Sequence, residues 1–508
     1  MLAALLAVLI GAIDLSIIAT ILPQMVADLN VNSADIDRYI WIVNAYLIAY
    51  IAAIPITGRL SDLLGRRSIF LACLAIFLTG SIVCAAADSL DSMIIARAVQ
   101  GFGGGGLLPV TMALAGDLLP RRSHLAAIGA IASVDTLGWI AGPVYGAAIV
   151  QLGVGHPSAW RWVFWLNIPI ILVTTWAIRA RVPGPSLRQS LSRIRSLDIP
   201  GATCLTLAIV FGCLALTASG ELSTSTDQGL RAFGGTPNPI AGRIWQFAAI
   251  AVVFVVLFVL RTKTAAKPIL PPHLFRQPAY RHALFGNFML GIMIIIGIVT
   301  VPVVVALLVA TDDASWTSAL LLAPYTTGIA AMSFAGGWIE RHYPQRTVLI
   351  SGALAATGGF AVMYPLLDSL HVWWMLPGLL VAGIGIGVLI APLGSVALIT
   401  ADASDRGAAT STLMVARLLG MTIGISGLSA IGVARLQQLT NQLPSIVRGE
   451  SESTANFLVR QQEFIHNEAI PVAVQVMQEL FVLAAVISLL LIIPLLAMYR
   501  WLRRSGAA

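Results

Sequence analysis

Long apolar runs, separated by short polar segments, set the pattern of the whole chain. Most runs hold about twenty residues, the length that an α-helix needs to cross the hydrocarbon core of a bilayer. Because every backbone amide in lipid needs an internal hydrogen-bond partner, the runs are predicted to be helices. Fourteen spans are predicted, at residues 2–27, 37–57, 68–87, 92–117, 125–150, 163–180, 199–219, 244–261, 283–309, 317–337, 347–366, 373–400, 406–432 and 478–499.

The composition agrees with a membrane protein. Hydrophobic residues make up 58% of the chain and charged residues only 10%, whereas soluble domains carry about 25% charged residues. The first run has no basic region before it and is interrupted by Asp14, so it is predicted to be a retained span and not a signal peptide. The sequence therefore predicts an all-α integral membrane protein.

The net charge of +7 raises the question of a nucleic-acid partner. The basic residues lie in short loops between apolar runs and form no continuous patch, which argues against nucleic acid. If the N-terminus is cytoplasmic, the inner loops and tail hold roughly three times as many lysines and arginines as the outer loops, as the positive-inside rule requires. We therefore expect both termini to be cytoplasmic.

Enzyme and cofactor chemistry finds no support in the motifs. Residues 101–106 contain the letters G-x-G-x-x-G, but they lie inside an apolar run and not between a strand and a helix, as dinucleotide binding requires. The cysteines Cys73, Cys84, Cys204 and Cys213 also lie in apolar runs, and no metal-ligand spacing or nucleophile motif is present. We expect no enzyme activity, no cofactor and no metal; a channel or a membrane enzyme is the remote alternative.

Four charged residues lie inside predicted spans and away from the span ends. Asp14 and Asp135 lie about 15 Å along their helices, near the middle of the membrane, and Arg97 and Arg417 also lie within spans. A charge at this depth costs about 2.5–3.5 kcal/mol, so such residues are functional candidates. Asp14, Asp135 and Arg97 are predicted to couple transport to protons, with Arg417 as a secondary candidate. The alternative is that one aspartate only neutralises Arg97, and the aspartate closer to Arg97 is the poorer proton carrier.

Several motifs resemble those of the major facilitator superfamily. The segment GRLSDLLGRRS joins spans 2 and 3 and resembles the loop motif of that superfamily through Gly58, Asp62, Gly65, Arg66 and Arg67. RAVQGFGGGG resembles the fourth-span motif of its drug:proton antiporters, and GAIDLSIIATILP resembles the first-span motif of the fourteen-span subfamily. A glycine face in span 5 resembles the fifth-span antiporter motif through Gly138, Gly142, Pro143 and Gly146.

A faint internal repeat suggests how the spans are grouped. GRLSDLLGRRS after span 2 has an echo in GWIERHYPQRT after span 10, and such repeats are typical of transporters. We expect a six-helix bundle in residues 1–180, a basic linker and two inserted helices in 181–262, and a second six-helix bundle in 263–508. The last unit includes a long outer loop, 434–477, which contains helical stretches.

The resemblance also bears on function. GIGIGVLIAPLGSVAL and GAATSTLMVARLLG look most like the actinobacterial branch linked to triacylglyceride export and drug resistance. The outer loop LLDSLHV between spans 11 and 12 is very short, whereas lipid-exporting members are extended there. The resemblance implies a proton-coupled secondary transporter in the bacterial inner membrane that exports hydrophobic or amphipathic compounds, of the multidrug-efflux type. The alternative is a dedicated exporter of triacylglyceride or glycolipid to the envelope.

The expected partners follow from this function. They are a small apolar or amphipathic substrate or a lipid, protons, and the surrounding membrane lipid. An envelope lipoprotein is left open as a further partner.

Overall fold

The computed structural model describes residues 1–29, 36–152, 156, 158–182, 198–219, 243–265, 268–308, 311–367, 372–443 and 454–504. Within these ranges the chain forms helices and no strands. The helices are α1 (Leu2–Asp28), α2 (Ile36–Leu64), α3 (Arg66–Ala85), α4 (Leu90–Leu118), α5 (His124–Leu152), α6 (Arg161–Arg181), α7 (Ile199–Ser219), α8 (Ile244–Thr264), α9 (Pro272–Arg276), α10 (Pro278–Leu308), α11 (Thr311–His342), α12 (Gln345–Leu367), α13 (Met375–Thr400), α14 (Arg406–Thr440), α15 (Thr454–Phe464) and α16 (Ile470–Arg504).

Most of these helices can cross a membrane. By length and composition, eleven described helices qualify, and α5 makes a twelfth if its two arms, which are bent by 45°, form one span. The described apolar stretches in α1 and α7, Leu2–Ile18 and Ile199–Ala215, are shorter. The prediction of an all-α membrane protein is therefore confirmed, with support for eleven or twelve spans.

The glycine-rich stretch of the sequence lies in the middle of α4 and lets two helices approach it closely. A Cβ atom on Gly101 would overlap the backbone of Tyr46 in α2, and Gly105 repeats this contact one turn later. A Cβ atom on Gly103 would overlap the backbone of Phe77 in α3. The glycines thus act as contact surfaces between membrane helices, and the stretch is not a phosphate-binding turn.

The second half of the chain repeats this arrangement. In α13, Gly383 lies against the backbone of Tyr325 in α11, and Gly385 lies against the backbone of Ala356 in α12. Tyr46 and Tyr325, the tyrosines in these contacts, also form equivalent hydrogen bonds to a neighbouring helix. The hydroxyl of Tyr46 donates to the carbonyl of Gly11 in α1 at 3.2 Å, and that of Tyr325 donates to the carbonyl of Met293 in α10 at 3.1 Å.

Helix packing follows the same plan on both sides. In the first part of the chain α1 packs on α5, α2 packs on α4, and α3 packs on α4 and α6. In the last part α10 packs on α14 and α16, α11 packs on α13, and α12 packs on α13 and α16. We call α1–α6 the N half and α10–α16 the C half. Helices α7 and α8 pack on each other, and α7 also contacts α2 and α14.

The two halves meet along α2 with α14 and along α5 with α11. Each contact is tight at one end. The end of α2 lies against the start of α14, and the start of α5 lies against the end of α11. A Cβ atom on Gly58 of α2 would lie 2.5 Å from the Cβ atom of Ser411 in α14, and one on Gly129 of α5 would overlap the backbone of Ser333 in α11. The end of the molecule that carries these contacts, together with Gly65, is called the sealed end below.

Part of the predicted long outer loop is helical. Helix α14 continues to Thr440, α15 covers Thr454–Phe464, and α16 begins at Ile470 after a π-helical turn at Ile465–Ala469. Residues 444–453 lie outside the described ranges. The loop therefore contains the helical stretches that its sequence predicts, and the last span begins earlier than its apolar run.

Candidate functional site

A buried ion pair lies in the centre of the N half. Asp14 of α1 and Arg97 of α4 are each 1% exposed, and Nη1 of Arg97 donates to Oδ2 of Asp14 at 2.5 Å. The guanidinium also stacks on the ring of Tyr46, with 4.0 Å between Cζ and the ring centroid, which adds a cation–π attraction. Of the two aspartates that could accompany Arg97, Asp14 is thus its direct partner.

Amide side chains surround this pair. Nε2 of Gln100 lies 2.9 Å from Oδ1 of Asp14 and 2.9 Å from the hydroxyl of Ser81. Nδ2 of Asn167 in α6 donates to the same Oδ1 at 3.2 Å, and Arg97 donates to Oε1 of Gln100 at 2.6 Å. Both carboxylate oxygens therefore accept hydrogen bonds, an environment that suits an ionised carboxylate, which can only accept.

The C half has an apolar side chain at the corresponding place. Arg97 lies four residues before Gly101, and Leu379 lies four residues before Gly383, the glycine that packs on α11 in the same way. Leu379 is fully buried, as is Ile296, which lies three residues after Met293. Since one half packs with hydrocarbon where the other has an ion pair, the helix arrangement itself does not require the charges.

The second candidate aspartate lies elsewhere, in a cavity between the two halves. The cavity has a volume of about 90 Å³. Its charged lining residues are Asp135 of α5 and Arg417 of α14, and the other described lining residues are apolar or neutral, among them Tyr50, Trp139 and Met414. The two charges come from the fifth long helix of each half and face one apolar space.

Asp135 and Arg417 are held differently. Nη2 of Arg417 donates to Oδ1 of Asn287 in α10 at 2.9 Å, and Arg417 is buried. Asp135 is partly buried, and among the described residues no lysine, arginine or histidine nitrogen lies within 4.0 Å of its carboxylate. A carboxyl group without a bound cation, in an apolar cavity that contains an opposite charge, can take up and release a proton.

The predicted gating loop lies at the sealed end and joins the two halves. Gly65 connects α2 to α3 with φ of 96°, a conformation that favours glycine. The carboxylate of Asp62 accepts hydrogen bonds from the backbone amides of Gly407 and Ala408, both at 2.8 Å. These amides form the first turn of α14, so a negative charge lies at the positive end of a helix dipole. Arg66 pairs with Asp62 from the other side.

Further charges extend this contact. Nη1 of Arg59 lies 2.5 Å from Oδ1 of Asp405 in front of α14. Nη1 of Arg406 donates to the carbonyl of Gly116 at 2.7 Å and to Asp117 at 2.9 Å, both at the end of α4. Arg67 lies next to Arg66 at the start of α3 and is partly buried. The charged contacts thus tie α2, α4 and α14 together.

The predicted glycine face of α5 lies against α1. A Cβ atom on Gly138 would lie 2.5 Å from that of Ala12, and one on Gly142 would overlap the hydroxyl of Ser16. Gly146 is buried. The side chain of Pro143 lies outside the described part of the structure, but this residue belongs to the stretch between the two arms of the bent helix, where a proline is expected to kink it.

Some contact residues were not singled out from the sequence. Gln100 lies one helical turn after Arg97, so its spacing could have marked it as a neighbour. Asn167, Asn287 and Asp405 carry no comparable signal, because their partners come from distant parts of the chain. Among the described residues no group of three histidine, cysteine, aspartate or glutamate side chains could hold a metal ion.

Comparison with known proteins agrees with the motifs. The sequence matches the family model of the Major Facilitator Superfamily over residues 4–425. A triacylglyceride transporter of Mycolicibacterium hassiacum is 32% identical over 493 residues, which cover 94% of this chain and 88% of the relative. A triacylglyceride transporter of Mycobacterium tuberculosis strain H37Rv is 30% identical over 456 residues, covering 87% and 84%.

Solved structures share the fold. The proton:xylose symporter XylE, bound to 6-bromo-6-deoxy-D-glucose, has a TM-score of 0.58 at 14% identity, covering 96% of this chain and 93% of the other. The human organic anion transporter MFSD10 (TETRAN) has a TM-score of 0.56 at 15% identity, covering 96% and 98%. At these identities the likeness concerns the fold alone. With the family match spanning most of the sequence and both charged sites built on this fold, the chain belongs to the Major Facilitator Superfamily of membrane transporters.

Proposed function

We propose that this protein is a proton-coupled exporter of hydrophobic or amphipathic molecules. The observation that carries the proposal is the apolar cavity between the halves, whose charged lining residues are Asp135 and Arg417. An apolar lining suits a hydrophobic substrate, and a carboxyl group that forms no ion pair among the described residues suits a proton. Substrate and proton would then compete for one space at the interface of two bundles, which is where transporters of this architecture bind their substrates.

The proposal includes the complete topology. The eleven qualifying helices, the bent α5 and the two helices with shorter described apolar stretches, α1 and α7, make fourteen spans. The N half and the C half are the two moving bundles, and α7 and α8 are the inserted pair. The sealed end is the cytoplasmic end, so that both termini are cytoplasmic in a bacterial inner membrane.

In this proposal the sealed end acts as a gate. Asp62 at the first turn of α14 and the Arg59–Asp405 pair hold the halves together at the cytoplasmic side. The described conformation therefore faces outward, and these contacts must separate before the substrate can enter from the cytoplasm.

Asp135 is the proposed proton carrier. Asp14 accepts hydrogen bonds from Arg97, Gln100 and Asn167, and a carboxylate held in this way cannot easily exchange its proton. Among the described residues, no comparable set of hydrogen bonds holds the carboxylate of Asp135. It takes up a proton in the outward-facing state and releases it to the cytoplasm when the gate opens. Each proton that enters along the membrane potential supplies about 2.3 kcal/mol per 100 mV.

The substrate class follows from the relatives. Those compared above are named triacylglyceride transporters, so neutral acyl lipids are the first substrates to test, ahead of the drug-like compounds that the motifs alone favour. The cavity of about 90 Å³ holds only a few water molecules at roughly 30 Å³ each. A lipid must therefore bind to a more open conformation, in which the cavity has widened.

Proteoliposomes test this function. Protein is reconstituted with a pH indicator inside, and labelled triacylglyceride or an amphipathic dye is supplied with a proton gradient. Asp135→Asn keeps nearly the same shape but cannot exchange a proton, so we expect uphill transport and substrate-driven proton movement to fall at least about tenfold, the loss for 1.4 kcal/mol. Asp135→Glu should keep part of both.

The matched control is Asp88→Asn, which neutralises a side chain that is 93% exposed outside the cavity and should leave transport unchanged. If Asp135→Asn transports uphill at the normal rate, the carrier is a different group, and Asp14 becomes the next candidate. If only the dye and never the lipid is moved, the protein is a multidrug exporter.

A further inference from the structure

A second cleft, which shares no lining residue with the central cavity, lies between the start of α12 and the end of α16. It has a volume of about 470 Å³, within the usual range for ligand sites. Its lining residues are mostly arginines, and none of them is acidic: Arg346, Leu496, Tyr499, Arg500, Arg503 and Arg504. The C half thus brings four positive charges together at the level of the sealed end.

These arginines form no ion pair within the described part of the chain. All four are exposed, and none of them lies within 4.0 Å of a carboxylate among the described residues. Arg346 is the second residue of α12, so the positive end of that helix dipole adds to the field of the side chains. Four guanidinium groups around one cleft, none of them paired with a described carboxylate, form a site for an anion with several oxygens, and arginine binds phosphate in this way.

The surroundings of the cleft point to a lipid. Ile493 lies seven residues, or about two helical turns, before Arg500 on the same face of α16. Ile493 is 66% exposed, and Leu489 and Leu490 are 50% and 47% exposed. These side chains face the lipid if α16 spans the membrane. A molecule bound here would therefore place a charged group among the arginines and hydrocarbon along the strip above them.

We propose that this cleft binds the headgroup of an anionic phospholipid. The phosphate oxygens would accept hydrogen bonds from the guanidinium groups, and the hydroxyl of Tyr499 could donate one more. The acyl chains would lie along the strip of Leu489, Leu490 and Ile493. Basic pockets between membrane helices bind such headgroups for the same electrostatic reason. The site is independent of the transport cavity and of the proposed substrate.

Native mass spectrometry of the full-length protein tests the site, with cardiolipin, phosphatidylglycerol, phosphatidylcholine or inorganic phosphate added separately. We expect the anionic lipids to stay bound and phosphatidylcholine to be lost. Each arginine of the cleft that attracts the headgroup contributes a factor of about five. Arg500→Gln combined with Arg503→Gln should therefore weaken cardiolipin binding by roughly 25-fold, whereas Arg500→Lys with Arg503→Lys should retain most of it.

The matched control is Arg179→Gln with Arg181→Gln, which removes two exposed arginines from the last turn of α6, the last long helix of the other half. These changes should leave lipid binding within about twofold, since they lie outside the cleft. Equal losses in both double variants would mean that the charge of the whole surface binds lipid, and the site would be rejected. Retention of phosphatidylcholine as strong as that of cardiolipin, or displacement of cardiolipin by equimolar inorganic phosphate, would overturn it as well.

Discussion

Removing both members of the Arg97–Asp14 pair should cost far less than the two single removals added together. Nη1 of Arg97 and Oδ2 of Asp14 are 2.5 Å apart, which places the charge centres roughly 4 Å apart, where the attraction is about 4 kcal/mol at an effective dielectric constant of 20. Arg97→Leu leaves a buried carboxylate, and Asp14→Leu leaves a buried guanidinium. Each single change is expected to lower the free energy of unfolding by about 3–5 kcal/mol.

The double variant Asp14→Leu/Arg97→Leu copies the C half, where Leu379 and Ile296 fill the corresponding space. It removes the Asp14 acceptor from Gln100 and Asn167, which costs about 1–3 kcal/mol, although Gln100 keeps the hydroxyl of Ser81. The loss should therefore be well below the sum of the two single losses. Unfolding in mixed micelles, followed by circular dichroism, measures all three variants.

A second cycle provides the control. Arg435 and Glu479 form a pair through two hydrogen bonds of 2.8 and 3.0 Å, but their side chains are 36% and 35% exposed, so water screens the attraction. The coupling energy of this pair should be much smaller than that of the buried pair. If the losses at Asp14 and Arg97 simply add, the two charges are not coupled in the folded protein, and the reasoning is refuted.

Three further predictions concern the gate and the topology. Asp62→Asn removes the charge at the first turn of α14, a contact of about 0.3–2 kcal/mol. It should slow transport while the protein reaches the membrane at normal levels. Unchanged transport would mean that the loop serves only as a topology signal. Gly58→Val places carbon atoms where Ser411 lies, so α2 and α14 must separate. A cysteine introduced at position 411 should then react with a label added from the cytoplasmic side. The control is Gly212→Val, whose added Cβ atom meets nothing within 4 Å and should not change the labelling. Reporter fusions after residues 190 and 270 should report cytoplasm and one near residue 450 the outside; two segments of 199–264 that fail to insert would leave twelve spans.

The helices could be predicted because backbone amides in lipid must form hydrogen bonds within the protein. Once a run is apolar and about twenty residues long, its amides must bond within the run, so local sequence decides the structure. The short described stretches Leu2–Ile18 and Ile199–Ala215 show where that rule weakens. Length alone does not separate a span from a buried helix there.

The partners of the charged residues could be predicted only in part. Depth in the membrane marked Asp14, Arg97 and Asp135 as candidates, but depth does not tell which helix faces which. Asp14 meets Arg97 because α1 packs beside α4 within the N half, whereas Asp135 and Arg417 face each other across the cavity between the two halves. A weak signal existed, since Asp135 lies three residues before Gly138 and Arg417 lies three before Gly420.

The contact of α7 with both α2 and α14 affects which side of the protein a hydrophobic compound could reach from the membrane. The two halves of the protein meet at two lateral interfaces, which we call seams, and α7 covers the seam formed by α2 and α14. Apart from the two halves themselves, no described helix packs over the seam of α5 and α11. Under the function proposed above, a hydrophobic cargo that enters sideways from the bilayer would meet α7 at one seam, whereas none of the described helices outside the two halves covers the other. The pair α7–α8 would thereby give two otherwise similar seams different access from the lipid.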